Sequence, residues 1–302
     1  MTFLRRDLWL GRVDPIRLDA CRVAVAASLL AYTLAWWRHA EEWLTTAGFH
    51  LSAAAVRHVP VAPPLPSAWL PWFGAALFGS ILALLVGWKT RWAAWACCAC
   101  FGYATLVDPL SAYTLNRFFI VKLILLGLAA PACYWSLDRR APTPQPAWPV
   151  RVLQATLLLH YFLAGWAKVA YGDWLKDPWV LWTQANGVYR TAFAAWLLQQ
   201  LPIGVWAWMQ YAALTFELTS PLLIGLRACR PFGVAFGLIF QLAIALLMYQ
   251  LAYFSLELFS FYVLFLDPGF LHRVHAACQR LWQQGWLCRA SLTRRVGIRH
   301  TF

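Results

Sequence analysis

The sequence predicts an all-α membrane protein: a polytopic bundle of about eight transmembrane helices with interfacial helices. Only 12% of its 302 residues are charged and 62% are hydrophobic, whereas a soluble domain carries about 25% charged residues. The chain also contains 20 Trp, a residue that concentrates where lipid meets water. Apolar runs of about 20 residues, long enough to cross a bilayer, recur along its length. Lipid is therefore expected to cover much of the surface.

Eight apolar runs are predicted as transmembrane helices. They lie at 18–37, 67–88, 90–108, 115–135, 148–172, 203–226, 231–250 and 251–267. The last two are contiguous around Met248–Tyr253. Pro-rich stretches at 61–67 and 139–149 predict loops, because Pro breaks helices. Residues 173–200 mix Trp and Phe with polar residues, a pattern that favours helices lying in the outer interface.

The net charge of +13 indicates membrane topology rather than nucleic-acid binding. With eight spans and an inside N-terminus, the cytoplasmic segments hold most of the 25 Lys and Arg residues, as the positive-inside rule requires. Both termini are thus predicted in the cytoplasm, and anionic lipid headgroups are the expected partners of the loop arginines. We divide the chain into a transmembrane helical domain, 1–270, and a basic cytoplasmic tail, 271–302, which carries an amphipathic helix. Met1–Arg17 lacks the apolar core of a signal peptide.

The cysteines predict neither a disulfide framework nor a metal site. Cys97, Cys98 and Cys100 lie inside an apolar run, and the other five are scattered. Buried core thiols are favoured over a redox-active C-x-x-C pair at Cys97 and Cys100.

Ionisable residues inside the predicted spans are candidates for function, because a charge in lipid is costly. They are Arg22, Arg117, Lys122, His160, Lys168, Glu217 and Glu257. For Arg22, Arg117, Lys122 and Glu257 we favour mutual pairing that holds helices together.

Lys168 is the candidate catalytic residue. It stands in HYFLAGWAKVAYGDW, near the outer end of the fifth predicted span. Tyr161 shares its helix face, and Gly165 between them permits close approach of a helix or ligand. Two interpretations are open. Burial disfavours a charged amine, so Lys168 would act as a base or nucleophile; alternatively, it extends to the outer headgroups as a membrane anchor.

Six short motifs follow one another between residues 14 and 266. They are DPIRLDACR (14–22), GWKTR (87–91), YWSLD (134–138), YFLAGWAK (161–168) with DW at 173–174, FELTSP (216–221) and RPFGVAFGLIFQ (230–241). Through them the chain resembles the membrane domain of the vitamin K-dependent gamma-carboxylases and their bacterial relatives, the HTTM (horizontally transferred transmembrane) family.

The resemblance implies a helical bundle around a pocket for a lipophilic, quinone-like molecule, with a vitamin K-like hydroquinone as the cofactor class. In the carboxylases, the lysine that corresponds to Lys168 is the base in hydroquinone oxidation. That reaction generates a strong base, which removes a proton from a glutamate side chain so that carbon dioxide can add. Tyr161, Gly165, Glu217 and Gln241 are the predicted substrate-binding residues. Glu217 is also expected to offset a buried cation, either Lys168 or Arg22.

The sequence departs from the carboxylase pattern in three places. It reads YTLNR before the fourth span, where the carboxylases have a histidine, and Gln241 replaces another histidine. A basic tail stands in place of the large domain that follows the membrane region in the carboxylases. Whether this chain is an enzyme therefore stays open at this stage.

Two functions from different classes fit these observations. The first is a carboxylase-related enzyme of a bacterial cytoplasmic (inner) membrane. The second is a non-catalytic membrane factor for peptide maturation or export. A transporter is disfavoured, because we find no matching pair of interrupted spans in two halves. Besides membrane lipids, the expected partner is a peptide substrate or a thiol-oxidoreductase-like protein, and no nucleic acid is expected.

Overall fold

A computed structural model describes residues 9–50, 61–108 and 114–296, without the side chains of residues 282 and 284–296. These ranges are predominantly helical, as the sequence predicts. Among the described residues, strand is limited to Arg12–Val13 (β1), which pairs antiparallel with Gln145–Pro146 (β2), and to isolated bridges. The chain divides into two compact units, Met1–Phe265 and Leu266–Phe302.

The α-helices are named here in chain order. The first unit contains α1 (Ile16–Trp37), α2 (Ala40–Leu44), α3 (Leu70–Val86), α4 (Thr90–Val107), α5 (Thr114–Ala129), α6 (Trp148–Ala170), α7 (Val180–Ala185), α8 (Ala192–Gln200), α9 (Ile203–Gly225), α10 (Arg230–Leu247) and α11 (Leu251–Tyr262). The second unit is the single helix α12 (Pro268–Val296). Short 3₁₀ turns precede α3 at Ser67–Trp69 and follow α11 at Val263–Phe265.

Four helices in the described chain are long and apolar enough to cross a membrane. They are α1, α6, α10 and the helix Ser67–Val86, which includes α3. A fifth span results if the pair at 251–265 and 268–281 is counted as one. The protein thus has four or five candidate spans by this criterion. The eight predicted spans include shorter helices, such as α5 with 16 residues and α11 with 12.

Local sequence fixes several helix ends. Pro71, Pro149 and Pro231 occupy the first turns of α3, α6 and α10, where a backbone N–H has no helical partner to lose. Gly87 ends α3 in the left-handed conformation with φ 68°, which a β-carbon would disfavour. Thr191 caps α8, since its Oγ1 accepts a hydrogen bond from the Ala194 amide at 2.9 Å.

The helices of the first unit pack in a continuous series. In order, α6 packs on α9, α9 on α10, α10 on α11, α11 on α1, α1 on α3, α3 on α4 and α4 on α5, while α5 also contacts α1, α6 and α11. Apolar side chains such as Leu29, Phe119, Leu157 and Phe261 fill the interior. Trp72, Trp92 and Trp208 are exposed on the outside, where lipid would cover them.

Contacts between the connections fall at two opposite ends of this unit. At one end β1 pairs with β2, and the Ala147 amide donates to the Gly11 carbonyl at 2.8 Å. Isolated bridges join Thr45 to Leu65 and Arg190 to Met248 in connections at the other end. The β1–β2 pair and the Arg190–Met248 bridge each join segments that long helices separate along the chain, whereas Thr45 and Leu65 belong to one connection.

Candidate functional site

Lys168, in the last turn of α6, forms an ion pair with Glu217 of α9. Its Nζ lies 2.5 and 2.6 Å from the two carboxylate oxygens, and the two side chains are 25% and 5% exposed. Gly165 allows the helices this close approach, because a β-carbon there would lie 2.9 Å from the Glu217 Cβ. The prediction that Glu217 pairs with a cation is confirmed, and the cation is the partly buried Lys168 rather than Arg22.

An aromatic ring covers the Lys168 amine. Its Nζ lies 4.3 Å from the centroid of a Trp174 ring, within the range of a cation–π interaction. Gln210 of α9 fixes the connection that carries this ring. Its amide donates to the carbonyls of Trp174 and Asp177, each at 2.8 Å, and accepts from the Leu181 amide at 2.9 Å. Sequence reasoning missed Gln210 as a site residue, although a Gln within an apolar run is a signal that could have identified it.

The ion pair lies well along α9 rather than at the first turns of this helix. About 21 Å of helix separates Glu217 from Ile203, the first residue of α9. The first turns of α9 are covered by α7 and α8, since Trp206 is fully buried in a cluster with Ala185 and Ala194. This depth and the pairing with Glu217 favour an interior role for Lys168 over the headgroup interpretation.

Tyr161 belongs to a second buried polar cluster, two helical turns before Lys168 on α6. Its hydroxyl accepts hydrogen bonds from Gln241 Nε2 and from the Tyr262 hydroxyl, each at 2.8 Å. Gly237 gives the Tyr262 hydroxyl its room, because a β-carbon at that position would overlap it. The Oε1 of Gln241 is buried and accepts no hydrogen bond from the described residues. The cluster therefore retains an acceptor for a further polar group.

Aromatic side chains surround the Tyr161 cluster. The Tyr161 ring packs against Phe216 and Phe240 at centroid distances of 5.2 and 6.3 Å. The His160 ring contacts Tyr161 at 5.7 Å and meets Phe118 edge-on at 4.8 Å. A few polar groups enclosed by apolar and aromatic side chains are typical of small-molecule sites.

The acidic residue Asp19 and Arg22 form a third cluster, at the end where β1 meets β2. The Arg22 Nε lies 2.8 Å from Asp19 Oδ1, and both side chains are fully buried. The remaining guanidinium nitrogens donate to the carbonyls at 84–85 and 134–135. Asp19 Oδ2 accepts from the amides of Cys133, at 2.8 Å, and of Tyr134. Sequence reasoning missed Asp19, although it lies in the predicted span 18–37, and expected Arg22 to pair with one of the other ionisable residues named above.

The six motifs meet in two groups. DPIRLDACR, GWKTR and YWSLD converge on the Asp19–Arg22 cluster, where Asp138 also accepts from the Lys89 amide at 3.0 Å, at the start of α4. YFLAGWAK, FELTSP and RPFGVAFGLIFQ converge on Lys168 and Tyr161. A family model, the HTTM domain, matches residues 12–273. The chain belongs to the HTTM family. No curated protein and no solved structure matches it.

The HTTM assignment and the apolar helices together identify an integral membrane protein. All five predicted site residues lie on the facing helices α6, α9 and α10. Lys168, Gly165 and Glu217 meet at the ion pair, while Tyr161 and Gln241 meet at the hydroxyl cluster. Sequence reasoning missed Tyr262, which α11 contributes. No group of three or more metal-ligating side chains is present within the described ranges.

A further buried ion pair in this HTTM domain joins Lys122 of α5 to Glu257 of α11. The Lys122 Nζ lies 2.7 Å from the Glu257 carboxylate, and both side chains are fully buried. Lys122 also donates to the Ser260 hydroxyl, and Ser28 of α1 donates to Glu257 at 3.4 Å. The predicted pairing is confirmed for these two residues, whereas Arg117 is exposed and forms no ion pair with the described residues.

Proposed function

We propose that this HTTM protein is a membrane-embedded enzyme, related to the vitamin K-dependent gamma-carboxylases, that acts on a lipophilic hydroquinone-like molecule. The observation that carries the proposal is the Lys168–Glu217 pair, an amine and a carboxylate in contact inside an apolar bundle. A proton acceptor and its partner are thereby held next to the Tyr161 cluster along α6.

The pair is suited to exchanging one proton between its two members. The Lys168 Nζ contacts both carboxylate oxygens of Glu217, so transfer of one proton from the amine to the carboxylate converts the ion pair into a neutral pair. In the neutral pair the Lys168 amine accepts a proton from a hydroxyl within hydrogen-bonding distance. The Trp174 ring and Glu217 then stabilise the resulting cation.

The Tyr161 cluster fits the polar head of such a molecule. The free acceptor on Gln241 would receive a hydroxyl proton, and the Tyr161 hydroxyl would orient the same group. Phe216 and Phe240 offer aromatic faces to a ring system. A bound hydroquinone would supply the electrons for oxygen reduction, while the residues of this chain orient it and accept its proton.

Two differences from the carboxylase sequences favour a second candidate, a non-catalytic membrane factor for peptide maturation or export. Gln241 and the stretch YTLNR stand where the carboxylases have histidines. In this reading a peptide or a thiol-oxidoreductase-like protein is the partner, and the Lys168–Glu217 pair only holds α6 against α9. Organic extraction of the purified protein separates the two, because a co-purified quinone supports the enzyme and its absence supports the factor.

We also propose eight membrane crossings, by α1, α3, α4, α5, α6, α9, α10 and α11, with both termini in the cytoplasm of a bacterial cell. The inner end would be the one where β1 pairs with β2. The support is the positive-inside pattern of the sequence and the grouping of the connections at two ends.

Replacing Lys168 by Arg tests the base. The expected result is a fall of about 100-fold or more in oxygen consumption with a reduced, isoprenoid-tailed naphthoquinone, because a guanidinium stays protonated. Lys176→Arg, at an exposed lysine of the next connection, is the matched control and should keep full activity. Full activity in Lys168→Arg, with an unchanged melting temperature, would rule out Lys168 as the base and leave it a structural role only.

A further inference from the structure

Three arginines come together where α6 begins, α9 ends and α10 begins. Arg151 lies in the first turn of α6, Arg227 in the connection after α9, and Arg230 at the start of α10. Arg227 is close enough to act electrostatically on Arg151, and both act on Arg230. Within the described ranges, none of the three forms an ion pair with a carboxylate. Like charges gathered without a counter-charge repel one another, so an anion bound among them would be stabilised.

Close helix packing holds the backbone beneath this arginine cluster. A β-carbon on Gly225, the last residue of α9, would lie 3.8 Å from Leu158 of α6. A β-carbon on Gly233 of α10 would lie 2.6 Å from the Leu223 carbonyl. The ends of the three helices are therefore fixed relative to one another.

Donor groups of the cluster are left for a ligand. Arg230 uses Nε and Nη2 on the carbonyls of Ile224 and Gly225, each at 3.0 Å. Arg151 donates through Nη1 to Gln154 at 2.9 Å, while its Nε is buried without a hydrogen-bond partner in the described structure. The Arg227 side chain is exposed. A buried guanidinium N–H without a partner is costly, which points to an acceptor that binds here.

An apolar groove runs between α9 and α10, and two residues of its wall, Leu223 and Phe232, lie close in the chain to Arg227 and Arg230. The groove has a volume of about 380 Å³. Its walls include Trp208, Phe216 and Leu223 of α9 and Phe232 and Phe236 of α10. Leu223 lies in the last turn of α9, four residues before Arg227, and Phe232 lies two residues after Arg230. From Trp208 to Leu223 the groove follows about 22 Å of helix, which exceeds the hydrocarbon depth of one leaflet, about 15 Å.

We propose that this place binds an anionic phospholipid, with its phosphate on Arg151, Arg227 and Arg230 and one acyl chain in the groove between α9 and α10. Guanidinium groups match phosphate oxygens in charge and in geometry. Basic pockets between membrane helices on the cytoplasmic side suit anionic headgroups. A soluble phosphate would use the arginines and leave the groove unused, whereas a phospholipid uses both features. The proposal does not depend on the chemistry at Lys168.

The test measures lipid binding to the delipidated full-length protein by native mass spectrometry. Phosphatidylglycerol should bind about tenfold or more tightly than phosphatidylcholine of the same chains. Arg151→Gln and Arg227→Gln should each weaken the binding of phosphatidylglycerol roughly fivefold. Arg227→Lys should keep most of the preference for phosphatidylglycerol over phosphatidylcholine. Arg91→Gln, at an exposed arginine of α4, removes the same charge elsewhere and should change nothing.

Filling the groove separates a lipid from a free phosphate. Thr215→Trp, on the groove wall, should weaken the binding of phosphatidylglycerol. It should not strengthen the binding of glycerophosphoglycerol, the deacylated headgroup. Equal binding of the two phospholipids, or an equal loss in Arg91→Gln, would overturn the proposal. So would tight binding of glycerophosphoglycerol that Thr215→Trp leaves unchanged, which would indicate a site for a soluble phosphate. Melting temperatures without added lipid distinguish a folding defect from lost binding.

Discussion

At Lys168, one carboxylate balances one cation inside the bundle, and this balance determines what a substitution does. Removing either member leaves the other buried without a counter-charge, which costs more than the intact pair contributes. Loss of activity in Lys168→Ala would therefore combine a chemical defect with a folding defect. Lys168→Arg keeps the charge and is the more informative change.

We expect Glu217→Gln to lower the free energy of unfolding by about 3–5 kcal/mol, seen as a lower apparent melting temperature in detergent. Lys168→Met should cost a similar amount, and the double variant should lose clearly less than the two single losses combined. Glu42→Gln, at an exposed carboxylate, is the matched control, and its free energy of unfolding should lie within about 0.5 kcal/mol of that of the wild type. Additive losses in the double variant would mean that the two side chains do not interact.

At the scale of the elements, the Asp19–Arg22 cluster satisfies backbone groups that helix ends leave unpaired. The carbonyls of Leu84 and Leu85 belong to the last turn of α3, where the regular helical amide donors run out. Arg22 donates to both of them, and the Leu84 carbonyl also accepts from the Gly87 amide at 3.3 Å. Asp19 in turn holds the amides of Cys133 and Tyr134. One ion pair thus joins α1, the end of α3 and the connection that follows α5.

Asp19→Asn is expected to loosen this connection and to expose Cys133. Burial raises the pKa of the Cys133 thiol above its ordinary value, so little thiolate is present near neutral pH and maleimide reacts slowly. In the variant that shift is lost, and Cys133 should react several-fold faster at pH 7 together with a lower melting temperature. Cys278 is exposed and should react at the same rate in both proteins. An unchanged Cys133 rate would show that Asp19 does not hold the connection.

At the scale of the whole molecule, the sequence supplied the class, the family and the site helices. Helix α6 was predicted at 148–172 and is observed at Trp148–Ala170, since apolar length and Pro149 mark its limits. Helix α5 was predicted at 115–135 and ends earlier, at Ala129, because Ala130 takes a left-handed φ of 47° before Pro131.

Other features required the folded chain. In lipid both faces of a helix are apolar, so periodicity does not reveal which helix packs on which. Asp19, Gln210 and Tyr262 have partners from distant segments, and the sequence alone does not connect them. The pairing of Glu217 with Lys168 rather than with Arg22 was decided by the packing of α6 on α9.

The number of crossings can be decided at the connections around α9 and α10. Arg190 bridges Met248, and the Tyr249 amide donates to the Tyr189 carbonyl at 3.0 Å. The chain before α9 and the chain after α10 therefore lie at the same end. Because α10 is one continuous helix from Arg230 to Leu247, the connection between α9 and α10 lies at the other end, and both helices traverse the unit.

The topologies with eight and with four crossings therefore predict opposite labelling at two positions, Ala228 and Tyr249. With eight, Val188→Cys and Tyr249→Cys should react with a membrane-impermeant maleimide in intact cells, while Ala228→Cys and the native Cys278 react only after permeabilisation. With four crossings α9 would not cross, so Ala228→Cys would be labelled from outside and Tyr249→Cys would be protected. Each cysteine is tested in a chain that lacks the others. The positive-inside rule determines which end of the helices faces the cytoplasm. Arg227 and Arg230 flank Ala228, and their charges favour the cytoplasmic side. Labelling of Ala228→Cys from outside would overturn the eight-crossing topology and with it the inner location of the arginine cluster.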